Sequence, residues 1–448
     1  MVGAGLLLLA RAMWPQATAQ AIDSGKPVEI GLDEAIQRAQ ANEPTFAGAS
    51  AASRSAALDR SIARSSLLPT LRLLSQGIYT QPNGIYSEGD AGQPSAPLPK
   101  FVANDSRPWE YIDQGVAEES LSVAELASVR RANAEAAMAR AELEIARRGL
   151  VATVTGLFYG LLAADHKVTI AERAHQDAKT FTKITVDREQ QGEAAHADVL
   201  KAQLTDQQQW RALQDALVAA QTARLDLGVL LFADPGTSYA LKAPDTVPLL
   251  PTLAEVEAAA ARYSPEMKSA LASLDASDAD VLGARAALMP ALALNVIYGI
   301  DANQFAVNGP MTPSGEKARN LGYSTSFTVN IPVWDWLSTE HKVKQSEIRR
   351  DAARVALTHT QRQLIADLQA DYATAQTARG ELESLDTSVA TAAESLRLSE
   401  LRYKSGEAPV LEVVDAQNAY VSAEDAREDG YVRYQTARAA LEVLTGTL

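Results

Sequence analysis

Cysteine is absent from all 448 residues, which excludes disulfides, iron–sulfur clusters, thiolate zinc sites, a cysteine nucleophile and an acylated cysteine anchor. Aromatic residues are scarce at 6% although 47% of the chain is hydrophobic, and alanine recurs along most of it. That balance fits long Ala-rich helices better than an ordinary globular enzyme. Positive charge is in deficit: 41 Lys and Arg against 56 Asp and Glu leave a formal charge of −15, so there is no electrostatic footprint for nucleic acid. After the first residues, no segment carries the roughly 18 to 20 continuous apolar residues of a membrane-spanning helix. A bilayer, if crossed, is crossed by strands. Neither a Gly-x-Ser-x-Gly elbow nor a Gly-x-x-x-x-Gly-Lys phosphate loop occurs. His166, His175, His196, His341 and His359 lack the i,i+3 or i,i+4 pairing suited to a metal and read as solvated helix-face residues. Enzymatic activity, a cofactor and a metal site are therefore not expected.

What the chain does contain is a duplication. Leu32, Glu34, Pro44, Ala63, Arg64, Leu67, Pro69, Leu71 and Leu73 recur at a constant offset as Leu253, Glu255, Pro265, Ala284, Arg285, Leu288, Pro290, Leu292 and Leu294. Later, the stretch Gly192 to Gln203 is answered by Gly406 to Gln417. A unit this long is a structural half, not a solenoid repeat. The expected organisation is a signal peptide over 1–19, a first repeat over 20–235, a linker over 236–252 and a second repeat over 253–448. The leader rests on the apolar run Ala4 to Leu9 followed by Ala17-Thr18-Ala19, although Met1-Val2-Gly3 lacks the usual basic residue.

Each half reads helix, strand, loop, strand, very long helix, turn, helix. Asp33 to Leu68 and Ala254 to Met289 have helical spacing and stop at Pro69 and Pro290. Beyond each proline the period changes to two. Tyr323, Thr325, Phe327, Val329, Ile331 and Val333 alternate with Ser324, Ser326, Thr328 and Asn330. The run spans about the ten residues a tilted strand needs to cross a membrane. Strands are expected over 69–80, 109–117, 290–300 and 323–333, with Gly/Pro-rich loops over 80–108 and 301–322. Proline-free helix formers then run from Ser120 to Gln190 and from Ser338 to Tyr403, each long enough to reach about 100 Å. Gly192 and Gly406 reverse them into return helices ending near Leu231 and Leu444. Four strands cannot close a barrel alone, whereas two chains supply eight and three supply twelve. The small polar set Ser324 to Asn330 favours a water-filled lumen and hence a homotrimer. Trp109, Tyr111, Tyr298, Tyr323, Trp334 and Trp336 lie near strand ends, where an interfacial belt belongs.

At this point the residues resemble the TolC-type outer-membrane efflux channels. Arg402 to Gln417 is similar to that family's periplasmic tip turn, and Ile331-Pro332-Val333-Trp334-Asp335 to its signature at the fourth strand end. The resemblance implies a fold that is mainly α with membrane β: a trimeric twelve-stranded barrel in the outer membrane of a Gram-negative bacterium, continued by a periplasmic coiled-coil tunnel. An equatorial region would include Ala233 to Pro251. Partners implied are a periplasmic adaptor, an inner-membrane pump and outer-membrane lipid, for which the channel is a passive duct. The tips Gly192-Glu193 and Gly406-Glu407 would dock the adaptor. Glu412 and Asp415 match positions of acidic rings at the pore gate, and Asp198 and Tyr403 match a bonded pair beside it. Two departures stand out: Ala408 replaces an arginine that helps lock some members, and Ile112-Asp-Gln-Gly-Val replaces the signature in the first half. A one-step protein secretion duct and a non-channel periplasmic coiled-coil protein are the alternative functions.

Overall fold

The computed structural model describes residues 28–79, 109–243, 249–302, 304–311 and 313–446. The expected leader, the 80–108 loop and part of the linker lie outside the described residues. The first repeat comprises β1 (Val28–Ile30), α1 (Leu32–Asn42), α2 (Pro44–Ser65), β2 (Thr70–Tyr79), β3 (Trp109–Leu121), α3 (Val123–Gln190), α4 (His196–Leu231) and β4 (Tyr239–Leu241). The second comprises α5 (Leu253–Tyr263), α6 (Pro265–Ala286), β5 (Ala291–Ala302), β6 (Asn308–Met311), β7 (Lys317–Arg319), β8 (Leu321–Asn330), α7 (Ser338–Lys404) and α8 (Val410–Thr445). The protein is mainly α-helical with one four-stranded sheet.

Four departures from the sequence reading have local causes. The single helix expected in each half is split, because Pro44 and Pro265 cannot continue a preceding turn and instead open the next. Glu43 and Ser264 cap the new helices by accepting from the backbone N–H of Phe46 and Met267. The 301–322 stretch is not all loop, since β6 and β7 pair as a short hairpin beyond β5. β3 continues to Leu121 and displaces the start of α3, whose Ser122 and Glu125 form a reciprocal capping box. At the other end β8 stops at Asn330, one residue before Ile331-Pro332, where the ladder loses a donor.

The sheet runs β2-β3-β5-β8 with every neighbour antiparallel, leaving β2 and β8 as open edges. Its register sorts side chains by polarity. One row carries Thr70, Glu118, Asn295 and Ser326 across all four strands, and the next on the same face carries Arg72, Val116, Ile297 and Ser324. The opposite face carries Leu71, Ala117, Val296 and Thr325, then Leu73, Gly115, Tyr298 and Tyr323. Phe327 and Leu294 continue it in a row that also holds Glu119, with Phe327 66% exposed. On the polar face Glu118 accepts from Arg72 at 2.5 Å and from Asn295 at 3.3 Å. One face is thus the more polar, although Val116 and Ile297 share it, and the other carries most of the large exposed apolar side chains.

Below the sheet the long helices α3 and α7, of 68 and 67 residues, pair with the return helices α4 and α8. An 18-residue window of α3 is apolar enough for a membrane span by composition, and half of it is buried inside the chain. That segment is the core of the middle region: Leu150, Val154, Phe158 and Leu161 pack with Ile30 of β1, Ala35 and Ala39 of α1, and Leu227 and Leu231 of α4. β1 pairs in parallel with β4 there, tying the start of the first repeat to its end.

Lower down, α3 presents cations to anions of α8. Lys167 bonds Asp429 at 2.7 Å, Arg173 bonds Glu424 and lies over the Tyr420 ring, and His166 Nδ1 meets Glu428 at 2.9 Å. His166 and His175 are therefore not free on helix faces, the latter sitting 3.3 Å from Asp206. Its hydrogen bond to Glu428 raises the His166 pKa above the usual imidazole value. Arg427 shares the same carboxylate and is itself held by Asp386 of α7, while the adjacent Asp165 is engaged by Arg224 of α4. A raised folded-state pKa stabilises most below the unfolded value, about pH 6.5, and the contribution is lost as pH rises through the folded value. Thermal unfolding should show it: from about pH 6 to 8 the wild type should lose stability relative to His166→Gln. Parallel pH profiles for the two would contradict the assignment.

Candidate functional site at the helical tips

The two hairpin turns are built alike. At the end of α3, Gly192 adopts φ +79, its N–H reaches Glu189 O, and Glu193 N–H reaches Arg188 O. At the end of α7, Gly406 adopts φ +80, its N–H reaches Tyr403 O, and Glu407 N–H reaches Arg402 O. Both are Schellman closures, in which a left-handed residue lets the last carbonyls of a helix find donors. A side chain with Cβ is strained at either glycine. Gly192, Glu193, Gly406 and Glu407 are all exposed. Pro409 is the cap residue before α8.

Between the turns lies a small apolar core of Phe181, Ala202, Tyr403, Ala408, Val410, Val413 and Val414. Ala408 is only 8% exposed, so the position where the resemblance led to an arginine is here an interior one. Tyr403 is also buried, with its ring 5.0 Å from that of Phe181. Its hydroxyl lies 3.3 Å from Thr185 Oγ1. The bond suggested by resemblance, to Asp198, is not formed within the chain; Asp198 is half-buried and makes no side-chain hydrogen bond among the described residues. Glu412 is not a free carboxylate, because Arg402 Nη1 donates to it at 2.5 Å. Asp415, one turn further, is exposed and has no such partner among the described residues. No group of acidic residues and histidines there or elsewhere among the described residues is arranged to hold a metal.

Arg188 and Thr185 escaped the sequence reading, and Arg402 entered it only as the start of the tip-turn stretch, without its bond to Glu412. A signal for two of them was present in the duplication, since each arginine stands four residues before a tip glycine.

At the opposite end, Tyr298 and Tyr323 face each other across β5 and β8 on the apolar side. Tyr79, Trp109, Tyr111 and Phe305 form a chain of ring contacts, tilted, stacked and edge-on in turn, with centroids 4.7 to 6.4 Å apart. Trp334 and Trp336 meet edge to face at 5.9 Å past the end of β8, and Trp336 and Leu337 take left-handed backbone to make the corner into α7. Asp335 caps that helix by accepting from Thr339 N–H.

A four-stranded sheet with unpaired edges, carried on paired helical hairpins and duplicated within one chain, defines the outer-membrane efflux channel fold. The channel CmeC of Campylobacter jejuni superposes with a TM-score of 0.75 at 15% identity, covering 93% of this chain and 85% of that one. Residues 257–447 match the outer membrane efflux protein family. Protein CyaE of Bordetella pertussis is 25% identical over 434 residues, 94% of this chain and 85% of the relative. The pyoverdine export outer membrane protein OpmQ of Pseudomonas putida is 24% identical over 414 residues, 88% of this chain and 81% of the relative. The chain thus has the fold of the outer-membrane efflux channels, and its second half is similar to the outer membrane efflux protein family.

Proposed function

We propose that three copies of the chain form the outer-membrane channel of an efflux system, a passive duct whose helical part extends through the periplasm to an adaptor and an inner-membrane pump. The sheet carries this reading: it has a more polar face, a more apolar face and two edges with no strand partner among the described residues. Because neighbouring strands alternate in direction, β8 of one copy meets β2 of the next antiparallel, and three copies bring twelve strands to a closed barrel with a polar lumen. Exposed apolar rows support the same assembly below, Leu200, Leu204, Leu217, Leu225 and Val229 on α4 and Ile348, Val355 and Ile365 on α7. A periplasmic coiled-coil protein would leave the apolar sheet face without a role. Tyr298 and Tyr323 mark one membrane interface and Trp334 and Trp336 the other. The family match over 257–447 and the export named for OpmQ support efflux or export as the task.

At the tip, Asp415 is the principal acidic ring of the gate and Glu412 contributes less, since Arg402 already neutralises it. The purified protein in mild detergent should have three times the chain mass, and its reconstituted channels should favour cations. Asp415→Asn should lower that selectivity more than Glu412→Gln, and a monomer as the sole folded form would refute the assembly. Both tip turns are adaptor contacts. Gly192→Val or Gly406→Val should reduce adaptor crosslinking while leaving membrane insertion intact, and crosslinks confined to the barrel loops would remove this docking site.

A further inference from the structure

The duplication relates the strands of the sheet residue by residue. Leu292 and Leu294 of β5 repeat Leu71 and Leu73 of β2 at the constant offset of the two halves. Glu118 of β3 lies opposite Thr70, and Asn330 of β8 lies opposite Ala291, the counterpart of Thr70. β8 is therefore the structural repeat of β3. Within one chain the two repeats meet once in the sheet, where β3 runs against β5. There Glu118, Ala117 and Val116 lie opposite Asn295, Val296 and Ile297, and Gly115 lies opposite Tyr298. The free edges of the sheet are the repeats of those same two strands, β8 of β3 and β2 of β5.

We propose that β8 docks on β2 of a second copy in the register of the β3–β5 junction, which sets Phe327 opposite the partner's Gly77, Thr328 opposite Gln76, Val329 opposite Ser75 and Asn330 opposite Leu74. This inference rests on the channel reading and adds to it the pairing of individual residues. Each pair is the in-chain pair with both members replaced by their repeats, so backbone register alone defines it. Side chains that played no part in the derivation agree with it. Gly115 under Tyr298 in the one junction becomes Phe327 over Gly77 in the other: glycine and aromatic have changed strands, and the pairing of the two is kept. A strand glycine leaves a gap that a ring directly opposite covers. Space is open where a Cβ on Gly77 would stand, and Phe327 is largely exposed in the single chain. Continued towards Pro332, the same register sets Ile331 opposite Leu73 and Val333 opposite Leu71. Those four side chains are 60% to 90% exposed in one copy, and each would gain an apolar neighbour.

Directed disulfides test the register, because the chain has no cysteine of its own. β3 and β5 lie between β2 and β8, which puts the two edges about 14 Å apart in one sheet and excludes a bond within the chain. Residues directly opposite across an antiparallel pair have Cα atoms about 4.5–5.5 Å apart, within disulfide reach, whereas diagonal neighbours at about 7–8 Å are not. Ser75→Cys with Val329→Cys, and Gln76→Cys with Thr328→Cys, should each convert most of the oxidised protein to a covalent trimer on non-reducing gels. Val329→Cys with Gly77→Cys or Leu73→Cys, the slips of two residues that keep every side chain on its face, should not. Phe327→Gly should lower the temperature at which the trimer dissociates, and adding Gly77→Phe should restore most of the loss. Crosslinking of a slipped pair in preference to the matched ones overturns the register. So does a failure of all pairs to crosslink in protein whose mass in mild detergent is that of three chains. No recovery in the double variant overturns the contact between Phe327 and Gly77. A mass of one chain with no crosslinks would instead overturn the channel reading, and the pairing with it.

Discussion

Phe327→Arg should abolish stable assembly in the outer membrane, whereas Ser326→Arg, one residue away, should assemble normally. The contrast follows from register. Phe327 stands on the apolar face beside Leu294, and Ser326 stands on the polar face in the row of Thr70, Glu118 and Asn295. A lipid-facing arginine costs up to about 2–4 kcal/mol, most at mid-depth, and the proposed three-copy barrel would carry it three times. An arginine facing the lumen meets water and Glu118, so its effect should appear in ion selectivity. Heat-modifiable migration of the trimer on gels and recovery in the outer-membrane fraction measure both. Equal recovery of the two variants would mean that the faces have been assigned the wrong way or that the sheet does not enter lipid.

The second large effect is expected far from either end, at Arg148. Its side chain is 5% exposed, bonds Glu144 at 2.8 Å, and donates to the carbonyls of Val443 at 2.9 Å and Tyr263 at 3.2 Å. One guanidinium thus ties α3 to the last turn of α8 and to the end of α5. Gly446, at φ +71, closes α8 directly against it and has no room for a Cβ. Arg148→Leu would leave two helix-end carbonyls without donors, at about 1–3 kcal/mol for each group that stays buried. Arg147→Leu is the natural control, since Arg147 pairs with the same Glu144 at a half-exposed position where ion pairs contribute about 0–1 kcal/mol. Thermal unfolding followed by helical signal should separate the two by several degrees. Coincident transitions would show that Arg148 is not a structural anchor.

The parts of this fold visible in the sequence are those written in short-range periodicity. Alternation from Tyr323 to Val329 marks a strand because side chains on successive residues face opposite ways, and the proline-free run from Val123 to Gln190 can only be a helix of great length. Duplication made the weaker strands β2 and β3 readable through their stronger counterparts. The breaks at Glu43-Pro44 and Ser264-Pro265 carried a local signal, a capping residue before proline, that apolar spacing on both sides obscured. Contacts between hairpins were not legible. Arg188 and Tyr403 are 215 residues apart, and nothing local to either says which helix its partner will lie on. The environment of position 408 was hidden for the same reason: an alanine in a turn reads as neutral until Phe181 and Ala202 are brought against it.

The two bare edges of the sheet bear on inheritance as well as on architecture. In the proposed ring of three, each chain would offer β8 to one neighbour and accept another on β2, so a copy with a single damaged edge could still join and then prevent closure. Defects confined to one edge should therefore be dominant. In a cell making equal amounts of sound and defective chain, only about one ring in eight would contain no defective copy. Defects that stop a chain from folding before it meets its neighbours would behave as recessive, because such chains never enter a ring.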